Sequence, residues 1–169
     1  DFDSGVEVLA LFPPQLLSSQ VTLYDNFVDA DRKGTGQPDN FTNIYGVAGS
    51  LRFGDVFFPP PNAGYRTVGF MTLAGGGDLL AAIDITHPFP TDQGYDAAAP
   101  VKIIWQKTAA TGLPGLGPTW SLPALAPRNS TSWSILFGAG YDTASVYGPP
   151  PLGQKMPRVF QLNPVDGTR

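Results

Sequence analysis

An all-β fold built from antiparallel four-stranded blades, a partial β-propeller of about two blades with one short helix near residues 14–24, is what this sequence predicts. Three observations carry the expectation. Apolar residues alternate with polar ones in a series of short runs, the signature of half-buried strands. Twenty Gly and eighteen Pro punctuate 169 residues, well above the roughly 12% of ordinary usage and without the period of collagen. Third, an apolar strand end followed by a turn cluster recurs at one phase in FDSGVEVLALF, AIDITHP and FQLNPVDGTR.

Val6, Val8, Ala10 and Phe12 share one face of an opening strand, and residues 1–12 are expected to close a preceding blade. Pro13 and Pro14 stop it. Leu16, Leu17, Val21 and Tyr24 then follow a loose helical spacing that a proline in the first turn would start. Asp25 to Tyr45 shows no periodicity of either kind and reads as a surface loop, so that residues 13–50 form a helix-and-loop insertion.

Residues 51–107 are expected to form a complete blade. LRFGDVFF is its first strand, Pro59-Pro60-Pro61 a break, and YRTVGFMTL and LLAAIDI the arms of a hairpin in which Gly75-Gly76-Gly77 lets the backbone reverse. A polar loop over residues 87–99 leads to VKIIWQK, where Val101, Ile103 and Trp105 are expected on one face. The connections are short and hold no crossover helix, which makes the sheet an antiparallel meander. Beyond the linker TGLPGLGP, residues 118–169 give three more strands, TWSLPALA, SWSILFGAG and RVFQL, of an incomplete blade. Closed propellers take about four to eight blades, so this count leaves the ring to other chains or to the missing part of the same propeller. On that register the edge strand Val159 to Leu162 pairs with a neighbour or lies exposed.

Composition excludes several classes of function. The formal net charge is −4 and the ten Lys and Arg are scattered, which removes the electrostatic footprint of a nucleic-acid binder. No apolar run approaches the roughly 20 residues of a membrane-spanning helix, so no membrane insertion is expected. With no Cys there are no disulfides, thiolate chemistry or Cys-based zinc sites. His87 is the single histidine and no GxSxG turn is present, which leaves no catalytic triad to assemble, and no catalytic residue is assigned. Trp105, Trp120 and Trp133 are assigned to packing on strands rather than to carbohydrate stacking.

The candidate metal ligands are Asp29, Asp31 and Asp39, in the acidic loop DADRKGTGQPDN. Calcium needs six to eight converging oxygens from a tight loop with a glycine near its sixth position, and Asp29, Asp31 and Gly34 meet that spacing. Lys33 stands where an oxygen ligand belongs, and Asn40 stands where a bidentate Glu belongs. The residues therefore favour a solvated loop, with calcium as the sharper alternative and no other cofactor expected.

The ordered set of these stretches resembles the propeller domain of PilY-type proteins, the tip-associated adhesin and assembly factors of bacterial type IV pili. GVEVLALFPPQLL is similar to the family's Gly-x-Glu strand running into Pro-Pro and a Leu-Leu helix, with Leu9 where a Trp is usual. VAGSLRFGDVFF, YRTVGFMTLAGGGDLLAAIDITHP and KIIWQ resemble one blade, and TWSLPALAP, SWSILFGAGYD and RVFQLNPVDG the next. The resemblance implies a non-enzymatic, surface-exposed segment acting in adhesion or pilus assembly, extracellular or on the bacterial surface after transit through the periplasm, with pilins among its partners. Two alternatives stand beside it: a structural subunit locked through its sheet edges into a larger extracellular assembly, and a quinoprotein-like dehydrogenase fragment. The absence of Cys and the two-blade count speak against the second.

Overall fold

The computed structural model describes residues 13, 16, 17, 24, 46–140 and 158–169. The chain divides into two units, Asp1–Gly46 and Val47–Arg169. In the first, Leu16, Leu17 and Tyr24 have helical backbone, and the Leu16 amide donates to the Pro13 carbonyl at 3.0 Å. The opening strand and the acidic loop lie outside the described residues.

The second unit is all β. Strands β1 (Leu51–Phe58), β2 (Gly64–Thr72), β3 (Leu80–Asp84) and β4 (Lys102–Lys107) form one antiparallel sheet in chain order. Strands β5 (Ala124–Asn129), β6 (Ser132–Gly138) and β7 (Val159–Leu162) form a second, also in chain order. These are the four-stranded and partial blades that the alternation predicts. Among the described residues no helix is long and apolar enough to cross a membrane.

Register explains which residues meet. Gly54 pairs with Val68, Arg52 with Phe70, Phe70 with Ala82, and Ala82 with Trp105, so one face of the first sheet carries Val56, Phe58, Val68, Phe70, Leu80, Ala82 and Trp105. That face is buried against Ile135 and Phe137 of β6 and Phe160 and Leu162 of β7, with Leu113 and Leu116 of the connecting segment filling the same core. Gly54 leaves room for Leu125 of the second sheet, since a Cβ there would stand 2.5 Å from Cδ2 of Leu125. The aromatic rings of Phe137 and Phe160 stack at 5.4 Å between centroids.

Three local expectations are corrected. A β-bulge between Ala82 and Ile83 sets Ile83 opposite Ile103 but Ala82 opposite Trp105, which puts the two β4 residues on opposite faces. Trp105 is consequently 8% exposed and Ile103 50%. The stretch TWSLPALA is not one strand. Pro123 precedes β5, while Thr119 makes an isolated bridge to Ala74 and leaves Trp120 half-exposed outside any strand. The reversal between β2 and β3 takes its positive φ at Ala74 (50°) and Gly77 (145°), so Ala74 shares the role expected of the triple glycine. The Pro60–Pro61 bond is cis.

Candidate interaction surface

A buried polar contact of the second unit joins the two sheets. Trp105 lies on β4, the edge strand of the first sheet, and its indole Nε1 donates to the Pro164 carbonyl at 2.8 Å in a buried position. Pro164 belongs to the turn after β7. There the Gly167 amide donates to the Asn163 carbonyl at 2.8 Å, the Asn163 amide donates to the Thr168 carbonyl at 2.7 Å, and Gly167 has φ 69°. This is a hairpin turn closed by a glycine bulge. Asn163 caps it through Oδ1, which accepts from the Val165 amide at 3.0 Å, and Asp166 accepts from the amide and hydroxyl of Thr168 at 2.9 and 2.7 Å.

The end of β3 is built alike. Asp84 Oδ1 accepts from the Thr86 amide at 3.0 Å and also takes the Thr86 hydroxyl. Its other oxygen accepts from Arg66 at 3.3 Å, and the Arg66 guanidinium lies 4.4 Å from the centroid of the Phe58 ring. Asp84 and Asn163 are thus equivalent positions of the repeat seen in the sequence.

Thr119 holds the connecting segment to the first sheet. It is fully buried; its hydroxyl accepts from the Leu73 amide at 2.9 Å and faces the carbonyls of Leu79 and Gly77 at 3.0 and 3.2 Å. Sequence reasoning missed it because its partners lie 40 to 46 residues away, and a lone threonine after Pro118 carries no periodic signal.

Described residues line a larger and a smaller hollow. The larger, about 370 Å³, lies where β6 runs past the end of β7 and is lined by Arg128, Ser132, Trp133, Gln161, Asn163 and Arg169, with no Asp or Glu side chain among the described residues of its walls. Trp133 Nε1 is buried there without a hydrogen-bond partner among the described residues. The smaller, about 50 Å³, lies among Asp84, His87, Gly94, Asp96 and Lys102. In it the Ala98 amide and the Lys102 ammonium, the latter 3.3 Å away, hold the Asp96 carboxyl below its ordinary range. His87 is exposed and sits against Gly94. On the far face of the first sheet, Leu51, Phe53 and Ile103 are each about half-exposed.

Asp29, Asp31 and Asp39 lie outside the described residues. Among the described residues no three His, Cys, Asp or Glu side chains cluster as metal ligands.

No protein-family model matches the chain. It is 29% identical over 145 residues to the type IV pilus biogenesis factor PilY1 homolog of Xylella fastidiosa, a match covering 86% of this chain and 10% of that protein. It is 33% identical over 89 residues to the type IV pilus biogenesis factor PilY1 of Pseudomonas aeruginosa, covering 53% of this chain and 6% of that one. Among solved structures it is similar to the C-terminal domain of Pseudomonas aeruginosa PilY1, with a TM-score of 0.58 and 21% identity over 99% of this chain and 25% of that chain. The chain thus spans a tenth or less of the length of these curated relatives.

Proposed function

We propose that this chain is a PilY-type protein segment: a non-enzymatic, surface-exposed propeller segment of a type IV pilus-associated protein, acting in adhesion or pilus assembly. The observation that carries the reading is the similarity, over 86% of the chain, to a protein named as a pilus biogenesis factor. The geometry is compatible with a presenting role. Among the described residues, the Trp105 indole joins the two sheets at Pro164 and the Thr119 hydroxyl holds the connecting segment to Leu73, while Leu51, Phe53 and Ile103 are about half-exposed.

Partners on this reading are proteins, pilins among them, and the place of action is the bacterial surface, reached through the periplasm. Calcium at Asp29, Asp31 and Asp39 is retained as a proposal separate from this role, to be tested by calcium titration of the chain against D29N/D31N. The functional test is in the source cell. Antibody raised against the 169-residue chain should label piliated cells at the surface, and in-frame removal of the segment should reduce surface pili or attachment. Label confined to the cytoplasm, with piliation and attachment intact after removal, would overturn the proposal.

A further inference from the structure

The two sheets differ at one corresponding place, and the sequence says why. In the first, β2 runs past the end of β3 and the chain beyond β3 bonds to it. The Ile85 amide donates to the Thr67 carbonyl at 2.9 Å, and the Thr67 amide donates to the Thr86 hydroxyl at 3.1 Å. In the second, β6 runs past the end of β7 in the same register. Val68 pairs with Asp84, and the pairing of Ile135 with Leu162 brings Ser134 to Asn163, so Trp133 matches Thr67 while Pro164 and Val165 match Ile85 and Thr86. Proline has no amide to donate and valine no hydroxyl to accept. Neither of the bonds that close the end of β2 can form at Trp133.

The ladder fixes the direction of the groups left over. The Ala139 amide donates to the Arg158 carbonyl at 2.7 Å, so alternate residues of β6, back to Trp133, turn their main-chain groups to the β7 side. The larger hollow, about 370 Å³, lies there. In its wall the Trp133 indole Nε1 is buried with no hydrogen-bond partner among the described residues. A buried N–H calls for an acceptor, because leaving it unmade is costly. Arg128 and Arg169 line the same hollow, and no Asp or Glu side chain stands among the described residues of its walls, although the chain carries a formal net charge of −4. Donors and positive charge gather at one point of an acidic chain.

We propose that this hollow binds a small organic molecule through an anionic oxygen group, a carboxylate or a phosphate ester, which accepts from the Trp133 indole and from the guanidiniums of Arg128 and Arg169. The planar fork of arginine suits either group, since it donates to two oxygens at once. Size favours an organic molecule over a bare ion: the hollow falls within the roughly 300–1,000 Å³ of small-molecule sites. The corresponding corner of the first sheet is closed to such a ligand, because Ile85 and Thr86 bond to β2 and Arg66 is held by Asp84 at 3.3 Å. The site does not rest on the pilus reading.

The Trp133 indole N–H reports on the site directly in heteronuclear NMR. The 169-residue chain is titrated with glucuronate, with glucose phosphate and with neutral glucose. A saturable shift of the Trp133 indole signal with either acid, and none with glucose or at the half-exposed Trp120 indole, is the expected result; the tighter of the two acids names the group. Arg128 is exposed, so Arg128→Gln should leave the Trp105 and Trp120 signals in place while weakening the binding about tenfold. No saturable shift with either acid, an equal response to glucose, or unchanged affinity in Arg128→Gln overturns the proposal.

Discussion

The indole of Trp105 lies so close over Gly167 that a Cβ on the glycine would stand 2.9 Å from Cδ2 of the ring. Gly167 also has φ 69°, in the left-handed region where side chains are strained. Gly167→Ala therefore faces a steric and a conformational penalty together, and should destabilise the chain by about 1–3 kcal/mol. Urea unfolding measures it. The Trp105→Leu background should absorb part of the loss, because the ring is then gone, so strictly additive losses in the double mutant would contradict the contact.

Trp105→Phe keeps an aromatic ring in the core but removes the indole donor, leaving the buried Pro164 carbonyl without its partner. A loss of about 1–3 kcal/mol follows from the unmade hydrogen bond. Unchanged stability in thermal melts would show that this bond does not join the sheets in solution.

Thr119→Val is nearly isosteric and strips the Leu73 amide of its acceptor in a fully buried site. The expected cost is again about 1–3 kcal/mol. Thr119→Ser keeps the hydroxyl and should recover most of it. If valine and serine behave alike in chemical denaturation, packing rather than the hydroxyl sets the role of this residue.

Asp96 accepts from the Ala98 amide and pairs with Lys102, and its folded-state pKa is lowered from 3.8. A depressed carboxyl contributes stability above its unfolded pKa and loses it as pH falls through the folded value, so the contribution disappears on acidification below about pH 4. The group is solvent-exposed, and salt should weaken its pairing. Carboxyl chemical shifts should give a midpoint below 3.8 that rises in Lys102→Gln. The rise should be partial, because the Ala98 hydrogen bond remains. A midpoint unaffected by both salt and Lys102→Gln would remove Lys102 from the account.

The strands were legible because alternation is a local signal. Val56 and Phe58 against Asp55, or Phe160 and Leu162 against Gln161, announce a buried and an open face without reference to any partner. What alternation cannot carry is a break in itself, and this is why Ile103 and Trp105 were expected on one face until the bulge at Ala82 and Ile83 separated them. Pro123 could have signalled that Trp120 lies outside β5, since proline suits only a strand's start, its edge or a bulge. The joints were less legible. The Pro164 carbonyl and the Leu73 amide are main-chain groups, and a main-chain group has no letter in the sequence. Only the recurring Asp or Asn at strand ends, Asp84 and Asn163, hinted that the turns there were built to a pattern.

The bond from Trp105 to Pro164 also has a direction. One sheet gives the indole from its edge strand and the other receives it at a strand-end turn, so donor and acceptor belong to different parts of the repeating unit. A contact of this kind is heterologous, and repeated along a polypeptide it makes an ordered procession in which each unit gives on one flank and receives on the other. Stability in such a procession is a sum over neighbours, so a lesion at one junction should part the series there and leave the units on either side intact.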